Sequence, residues 1–377
     1  MKIGGVIVAA GLSSRMKGFK PLLPMGDKLM IEMTINNFKL FGVDEIVVVT
    51  GYRSHDIIKK LLGCNVRFVH NVNFSSTHMF DSVALGLNEI KTKVDMVFIS
   101  PSDSPFVQQF TLKTMMEEMR NNKFSLIQPS YEGENGHPLL LNKRGIEEVL
   151  NHDGKLGLQG AISKMDSISN KSFVDPGIIL DADTPEDYEN LIEFNKNKYC
   201  PSVELCRKIQ TFFNMKDNIK AHSDKVKSTA IDIYELLSDK EIALDKNIIA
   251  AASMLHDIAR SCKGHALVGA EWLKDMGYYE VSEIVREHMV LDSISKEITE
   301  KEVVFVADKL VQDDYSVTIE EKYNIRKEMF KGNKEAILAI ERKKNQALEI
   351  YELIYNKIGG RNERNKNSRC SRASALS

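Results

Sequence analysis

At 377 residues, with 43% hydrophobic and 28% charged residues, the chain is too long for one ordinary core and has the balance of a folded globular protein, so two domains are expected. A net charge of −2 excludes an electrostatic case for nucleic acid or an anionic membrane surface, and no apolar run approaches the ~20 residues of a membrane span. Cys64, Cys200, Cys206, Cys262 and Cys370 are scattered and odd in number, and no basic-then-apolar leader opens the chain, so reduced thiols, no signal peptide and a cytoplasmic location are expected.

The first stretch, 3–21, runs from the β-branched Val6-Ile7-Val8 through Ala9-Ala10-Gly11 to Lys20-Pro21. A short apolar run that ends in small residues is a buried central strand that stops abruptly. Ala9, Ala10 and Gly11 leave the backbone open to close approach, and free N–H groups in such a turn attract anions. Ser13 and Ser14 add hydroxyls, and Arg15 and Lys20 add positive charge; together they suit a triphosphate. The stretch has neither the GK[ST] of a P-loop nor GxGxxG.

Residues 1–197 then alternate in type. Strands are predicted at 5–9, 45–50, 66–70, 96–99, 125–129, 137–141 and 177–180, and helices at 30–41, 56–62, 82–90 and 112–121. That alternation predicts an α/β fold, a doubly wound, mostly parallel sheet with helices on both faces. Ligands bind such sheets beyond the carboxyl ends of the strands. The loop 9–20 and the loop Ser100-Pro101-Ser102-Asp103-Ser104-Pro105 both lie at such ends. Asp103 there suits either a Mg²⁺ ligand or the start of a turn. Further on, Thr184, Pro185 and Asp187 form a helix start, which leaves Asp181 and Asp183 unassigned.

AAGLSSRM followed by KPLLPMGDKLMIE resembles the signature loop of the sugar-nucleotide-type nucleotidyltransferases, and most of all that of the molybdenum-cofactor cytidylyltransferases. The resemblance implies a Rossmann-like nucleotidyltransferase fold in which Gly11, Ser13, Arg15 and Lys20 hold the nucleotide's phosphates. Lys17-Gly18-Phe19 departs from the tighter step usual there. Asp103, in a run similar to the family's Asp-x-Pro-Phe-Val, is implied to hold Mg²⁺, with Asp181 as second ligand and Asp183 as its rival. Gly136-His137-Pro138 resembles a segment associated with the pterin-side substrate, which makes His137 a binding residue. The loop 71–82 resembles one near the bound nucleotide through Met79 and Ser82, although His78 stands where glycine is usual. The implied reaction moves CMP from CTP to a molybdopterin-type cofactor, with a molybdoenzyme as eventual recipient. Catalysis would fall to Lys20, Arg15 and Asp103. A sugar or polyol phosphate is the alternative acceptor.

Beyond 197–202 strands disappear from the pattern. Helices are predicted at 202–215, 222–237, 247–260, 265–276, 280–290, 301–313 and 336–358, so that His222 begins one helix and His256-Asp257 lie inside another. A His-Asp pair on an apolar helix, and Asp308 on another, are costly to bury without compensation. A shared divalent cation such as Mn²⁺, Fe²⁺ or Zn²⁺ answers both. The order His222, His256-Asp257, Asp308 resembles the HD-domain metal-dependent phosphohydrolases. It implies a metal set completed by His265 and His288, with Arg260 or Lys263 as candidates for substrate phosphate; a non-catalytic metal-binding or sensor module is the alternative. The expected organisation is 1–197, an all-helical 202–358, and a polar, disordered tail over 359–377.

Overall fold

The computed structural model describes residues 1–16, 18–295 and 297–359. Cys370 and almost all of the expected tail lie outside them. The chain divides into two compact units, Met1–Lys198 and Tyr199–Ser377. No described helix is long and apolar enough to cross a membrane.

The first unit is built on strands β1 (Ile3–Ala9), β2 (Pro24–Met25), β3 (Lys28–Leu29), β4 (Glu45–Thr50), β5 (Arg67–His70), β6 (Met96–Pro101), β7 (Leu126–Tyr131), β8 (Glu134–Asn135), β9 (Leu139–Asn142) and β10 (Ile168–Phe173). The main sheet runs β10-β7-β9-β6-β1-β4-β5, with β8 on β7; β2 and β3 form a separate hairpin. β1 pairs in parallel with β4 and β6, and β7 with β10, whereas β9 is antiparallel to both β6 and β7. Central strands carry unbroken β-branched runs because helices cover both faces. Val6, Ile7, Val47, Val48 and Val97 are fully buried. Gly4 and Gly5 let those helices come close. A Cβ at Gly4 would meet Ile90 at 2.7 Å, on the Met79–Ile90 helix, and one at Gly5 would meet Phe38 at 2.8 Å, on the Met30–Phe41 helix.

One predicted strand is wrong. Residues 177–180 are not a strand: Pro176–Ile178 is a single 3-10 turn, and the strand is β10. Asp175 imposes the turn, its Oδ1 accepting the Gly177 N–H at 2.9 Å. β10 reads ISNKSF, too polar to stand out as an apolar run, and it sits at the sheet edge, where one face meets water.

The second unit is helical: Val203–Phe212, Asp217–Ser238, Lys246–Leu255, His265–Asp275, Tyr279–Glu287, Glu300–Lys309, Ile319–Met329 and Lys334–Ile358. Three expectations need correction. His222 does not begin a helix; that helix starts at Asp217 and His222 lies in its second turn. His256 and Asp257 are not inside a helix, because the regular helix ends at Leu255 and the His256 ring turns back to donate through Nδ1 to the carbonyl of Ser253. Strands do not vanish: β11 (Val311–Gln312) and β12 (Tyr315–Ser316) form a small hairpin just after Asp308.

Candidate functional site

An open cleft of about 290 Å³ lies at the carboxyl ends of β1 and β6. Ala9, Ala10, Gly11, Ser13, Ser14, Arg15, Lys20, Ser82 and Asp103 all line it; His137 and Asp181 do not. β1 stops at Ala9, and Ser13 then takes a left-handed φ of 54°. The Ser13 hydroxyl accepts the Lys20 N–H at 3.2 Å and so closes the loop on itself. Nothing stands within 4 Å of where a Gly11 Cβ would be, which leaves the backbone there open to a ligand.

Lys20 is the hub. Its side chain is 14% exposed, and its Nζ lies 3.2 Å from Asp103 Oδ2 and 2.5 Å from Asp183 Oδ1. Arg15 Nη2 is 2.7 Å from the other oxygen of Asp183. Burial works to lower the Lys20 pKa, but the bonds and charges of Asp183 and Asp103 outweigh it and hold the ammonium above its usual value. Asp183, bonded to Lys20, is held below the carboxylate range. Asp181 goes the other way: burial first, then the charges of Asp103 and Asp183, push it up to about 6. Burial and the two neighbouring carboxylates thus oppose the charged form of Asp181, with Lys20 pulling the other way. A divalent cation shared by Asp103 and Asp181 would offset that opposition. Asp183 is engaged with Arg15 and Lys20 instead.

The remaining candidates sit around this hub. Ser82 accepts the Asn71 Nδ2–H at 3.1 Å, and the same Asn71 amide donates to Thr77 at 2.9 Å, shaping the loop that leads into the Met79–Ile90 helix. Because β9 runs backwards, Leu139 pairs with Ile99 and delivers His137 toward the Asp103 end of β6. Burial lowers the His137 pKa against the pull of Asp103, and its Nδ1 is buried without a hydrogen-bond partner. Arg15, Lys20 and Asp103 are therefore drawn together, with His137 outside the cleft lining but within the field of Asp103.

Sequence reasoning missed Asp175. This buried carboxylate accepts the Gln108 N–H (2.8 Å) and Thr111 Oγ1–H (2.7 Å) as well as the Gly177 N–H, so it ties the end of the Asp103 loop to the turn before Asp181. The signal was the Asp175-Pro176-Gly177 turn. Burial pushes its pKa from 3.8 up to about 6, although all three donors pull it down. The folded chain thus binds this proton more tightly than the unfolded one. Its contribution to stability is full below about pH 4 and is lost as pH rises through about 6, about 3 kcal/mol in all. Asp175→Asn is expected to remove that part of the slope; urea melts at several pH values between 4 and 7 measure it, and an unchanged slope would count against the assignment.

The second unit gathers two groups. His222, His256 and Asp308 form one, and Asp257, His265 and His288 the other; in each, the potential ligand atoms lie within 4.8 Å of one another. Nδ1 of His256 is 2.8 Å from the Ser253 carbonyl, Nδ1 of His288 is 2.7 Å from that of Val285, and Nδ1 of His222 is 2.8 Å from that of Asp313 in the β11–β12 turn. Each ring thus donates through Nδ1 to a backbone carbonyl and presents Nε2 inward, an arrangement that orients metal-binding imidazoles. His265 and His288 bring their Nε2 atoms to 3.3 Å, and His256 Nε2 is buried with no hydrogen-bond partner. Imidazole nitrogens gathered on buried carboxylates, one of them an orphaned buried nitrogen, fit a divalent metal.

Burial works to raise the Asp257 pKa, but His256, His265 and His288 hold it well below the carboxylate range. Burial likewise opposes ionisation of Asp308, which Lys309, Lys322, His222 and His256 keep charged. Lys309 Nζ lies 2.6 Å from Asp308 Oδ2 and donates to the His288 carbonyl at 2.7 Å, joining the two groups. Neither buried lysine was singled out in the sequence. A hollow of about 90 Å³ opens onto His222, Asp257, His288 and Asp308, with Arg260 on its wall; Lys263 is not on it.

Both units thus have a fold and a polar centre of recognisable kinds. Residues 5–168 match the MobA-like NTP transferase domain, and residues 219–313 match the HD domain. The protein carries a nucleotidyltransferase domain of the MobA-like type followed by an HD domain. The molybdenum cofactor cytidylyltransferase of Escherichia coli (strain K12) is 28% identical over 184 residues, covering 48% of this chain and 92% of that protein. A probable molybdenum cofactor guanylyltransferase of Natranaerobius thermophilus is 30% identical over 142 residues, 35% of this chain and 62% of that one. The bifunctional protein GlmU of Caldicellulosiruptor saccharolyticus is 32% identical over 124 residues, 32% of this chain and 26% of that one, so the chain spans about a quarter of that relative.

Proposed function

We propose that the first unit transfers CMP from CTP to the phosphate of a molybdopterin-type cofactor, and that the HD unit hydrolyses a phosphate compound. The first reading is carried by the cluster of Arg15, Lys20, Asp103 and Asp183 at the cleft. A triphosphate competes with Asp183 for Arg15 and Lys20. The two cations and the open N–H groups of Ala10 and Gly11 then hold the pyrophosphate portion as charge builds on it. Magnesium on Asp103 and Asp181 would supply further neutralisation. The acceptor's phosphate oxygen attacks the α-phosphorus directly, so no covalent nucleophile is needed. His137 is positioned on the acceptor side. The choice of a pterin acceptor is supported by the two molybdenum-cofactor relatives, and that of CTP by the first of them. A molybdoenzyme would receive the product.

The hydrolase reading rests on the two ligand groups, in which Mn²⁺, Fe²⁺ or Zn²⁺ would supply water activation and phosphoryl-charge stabilisation. The test is a matrix of CTP, GTP, ATP and UTP against molybdenum cofactor and a panel of sugar and polyol phosphates, with the nucleotide adduct read by mass spectrometry. CTP with molybdenum cofactor is expected to react fastest. Adducts formed with a sugar phosphate and not with the cofactor would overturn the acceptor assignment, and faster reaction of GTP would overturn the base.

A further inference from the structure

We propose that the HD site hydrolyses inorganic pyrophosphate, the leaving group of the reaction in the first unit. This rests on the reading of the HD unit as a hydrolase and names its substrate class.

Size is the first argument. A hollow of about 90 Å³ suits a compact anion of two linked phosphoryl groups. The transferase cleft, at about 290 Å³, is three times larger.

The walls agree. Arg260, Arg326 and Lys322 line the hollow together with the acidic and imidazole ligands, and Asn218 and Gln312 add amides. No Phe, Tyr or Trp is among the described lining residues, so a nucleobase finds no aromatic platform there, whereas Phe74 lines the transferase cleft. Arg260 is half-exposed and lies 3.2 Å from Asp257, so its guanidinium can turn to a phosphate while still at the ligand set. Arg326 lies over the Tyr323 ring at 5.8 Å. Two guanidinium forks suit two linked phosphoryl groups better than one.

Chemistry supplies the reason for such a site. Nucleotidyl transfer onto a phosphate breaks one P–O–P linkage and makes another, so it is freely reversed while pyrophosphate persists. Hydrolysis removes it. A water oxygen bonds to one phosphorus as the bridging P–O bond breaks; one pyrophosphate tetra-anion and one water become two hydrogen phosphate dianions, with no other reactant.

The experiment uses the full chain carrying Lys20→Ala, so that the transferase cleft does not contribute, with Mn²⁺ added. Pyrophosphate, bis(p-nitrophenyl) phosphate, p-nitrophenyl phosphate and nucleoside monophosphates are offered in parallel. Phosphate release from pyrophosphate is expected to exceed the others in kcat/KM by about ten-fold or more. Binding is read separately by calorimetry with methylenediphosphonate, which is not cleaved. Arg326→Ala is expected to weaken it about ten-fold, and Arg260→Ala similarly. Cleavage of an ester with pyrophosphate left intact overturns this inference and leaves the hydrolase reading standing. No cleavage of any compound overturns both, and unchanged affinity for the diphosphonate in both arginine variants overturns the assigned site.

Discussion

Lys20→Ala is expected to lower CMP transfer by about 100- to 1,000-fold, the usual cost of removing one preorganised charge from a developing oxyanion. The effect should fall chiefly on kcat/KM for the triphosphate. Lys20 is the group that both Asp103 and Asp183 contact, and it is mostly shielded from water. Without it, Asp103 and Asp183 lose the ammonium they share, and Asp183 keeps only Arg15. Triphosphate binding therefore loses a cation and gains a repulsive surface. Asp103→Ala should cause a loss of similar size by the opposite route, since Lys20 then keeps only Asp183. Circular dichroism is expected to show both variants folded, because the sheet core lies beneath the loop. Adduct formation within about threefold of the parent protein in both variants would exclude this cleft as the reaction site.

The HD unit should lose its metal when His256 is replaced. His256→Ala is expected to reduce bound divalent metal to a small fraction of the parent's, read by inductively coupled plasma mass spectrometry, and to lower phosphate-compound hydrolysis by more than about a hundred-fold, the upper range for removing even a supporting residue. In the parent, chelation should lower the melting temperature of the second unit, since ligand held at about 100 times its Kd adds about 3 kcal/mol. The variant should be insensitive to chelator. Its fold is expected to survive, because the ring makes one backbone contact, to Ser253, and its inward nitrogen has no hydrogen-bond partner. Asp308 is the contrasting case. Asp308→Ala leaves Lys309 and Lys322 buried without their counter-charge, a cost of about 3–5 kcal/mol, so metal loss there would be confounded with unfolding. Parental metal content in purified His256→Ala would remove the histidine from the ligand set.

How much of this was legible depended on how local the cause was. The β1 stretch, with its apolar run and small-residue stop, announced both a central strand and an open loop, and the alternation after it announced the sheet. The His…His-Asp…Asp order pointed to a metal centre because burying those groups uncompensated is costly wherever the helices end. What escaped was set by contacts between distant segments. β10 is half-polar and becomes a strand through pairing with β7, some forty residues earlier in the chain. Asp181 and Asp183 differ in that Arg15 and Lys20 reach Asp183, and spacing does not encode that. Lys309 and Lys322 carry no local signal in the sequence; their burial follows from the fold around Asp308. The early end of the helix at Leu255 was hidden because 247–260 carries no proline, and its one glycine-free run looks continuous.

The reversed strand β9 has a consequence for how such a domain can diversify. By entering the sheet antiparallel between β6 and β7, it brings the chain back to the carboxyl edge of β6, where the exposed tip Glu132-Gly133 projects beyond the short β7–β8 pairing. Nothing stands within 4 Å of where a Gly133 Cβ would be, whereas one at Gly136 would meet the Ile178 carbonyl at 2.1 Å, so room for variation in this segment is confined to its tip, on a different loop from Arg15, Lys20 and Asp103.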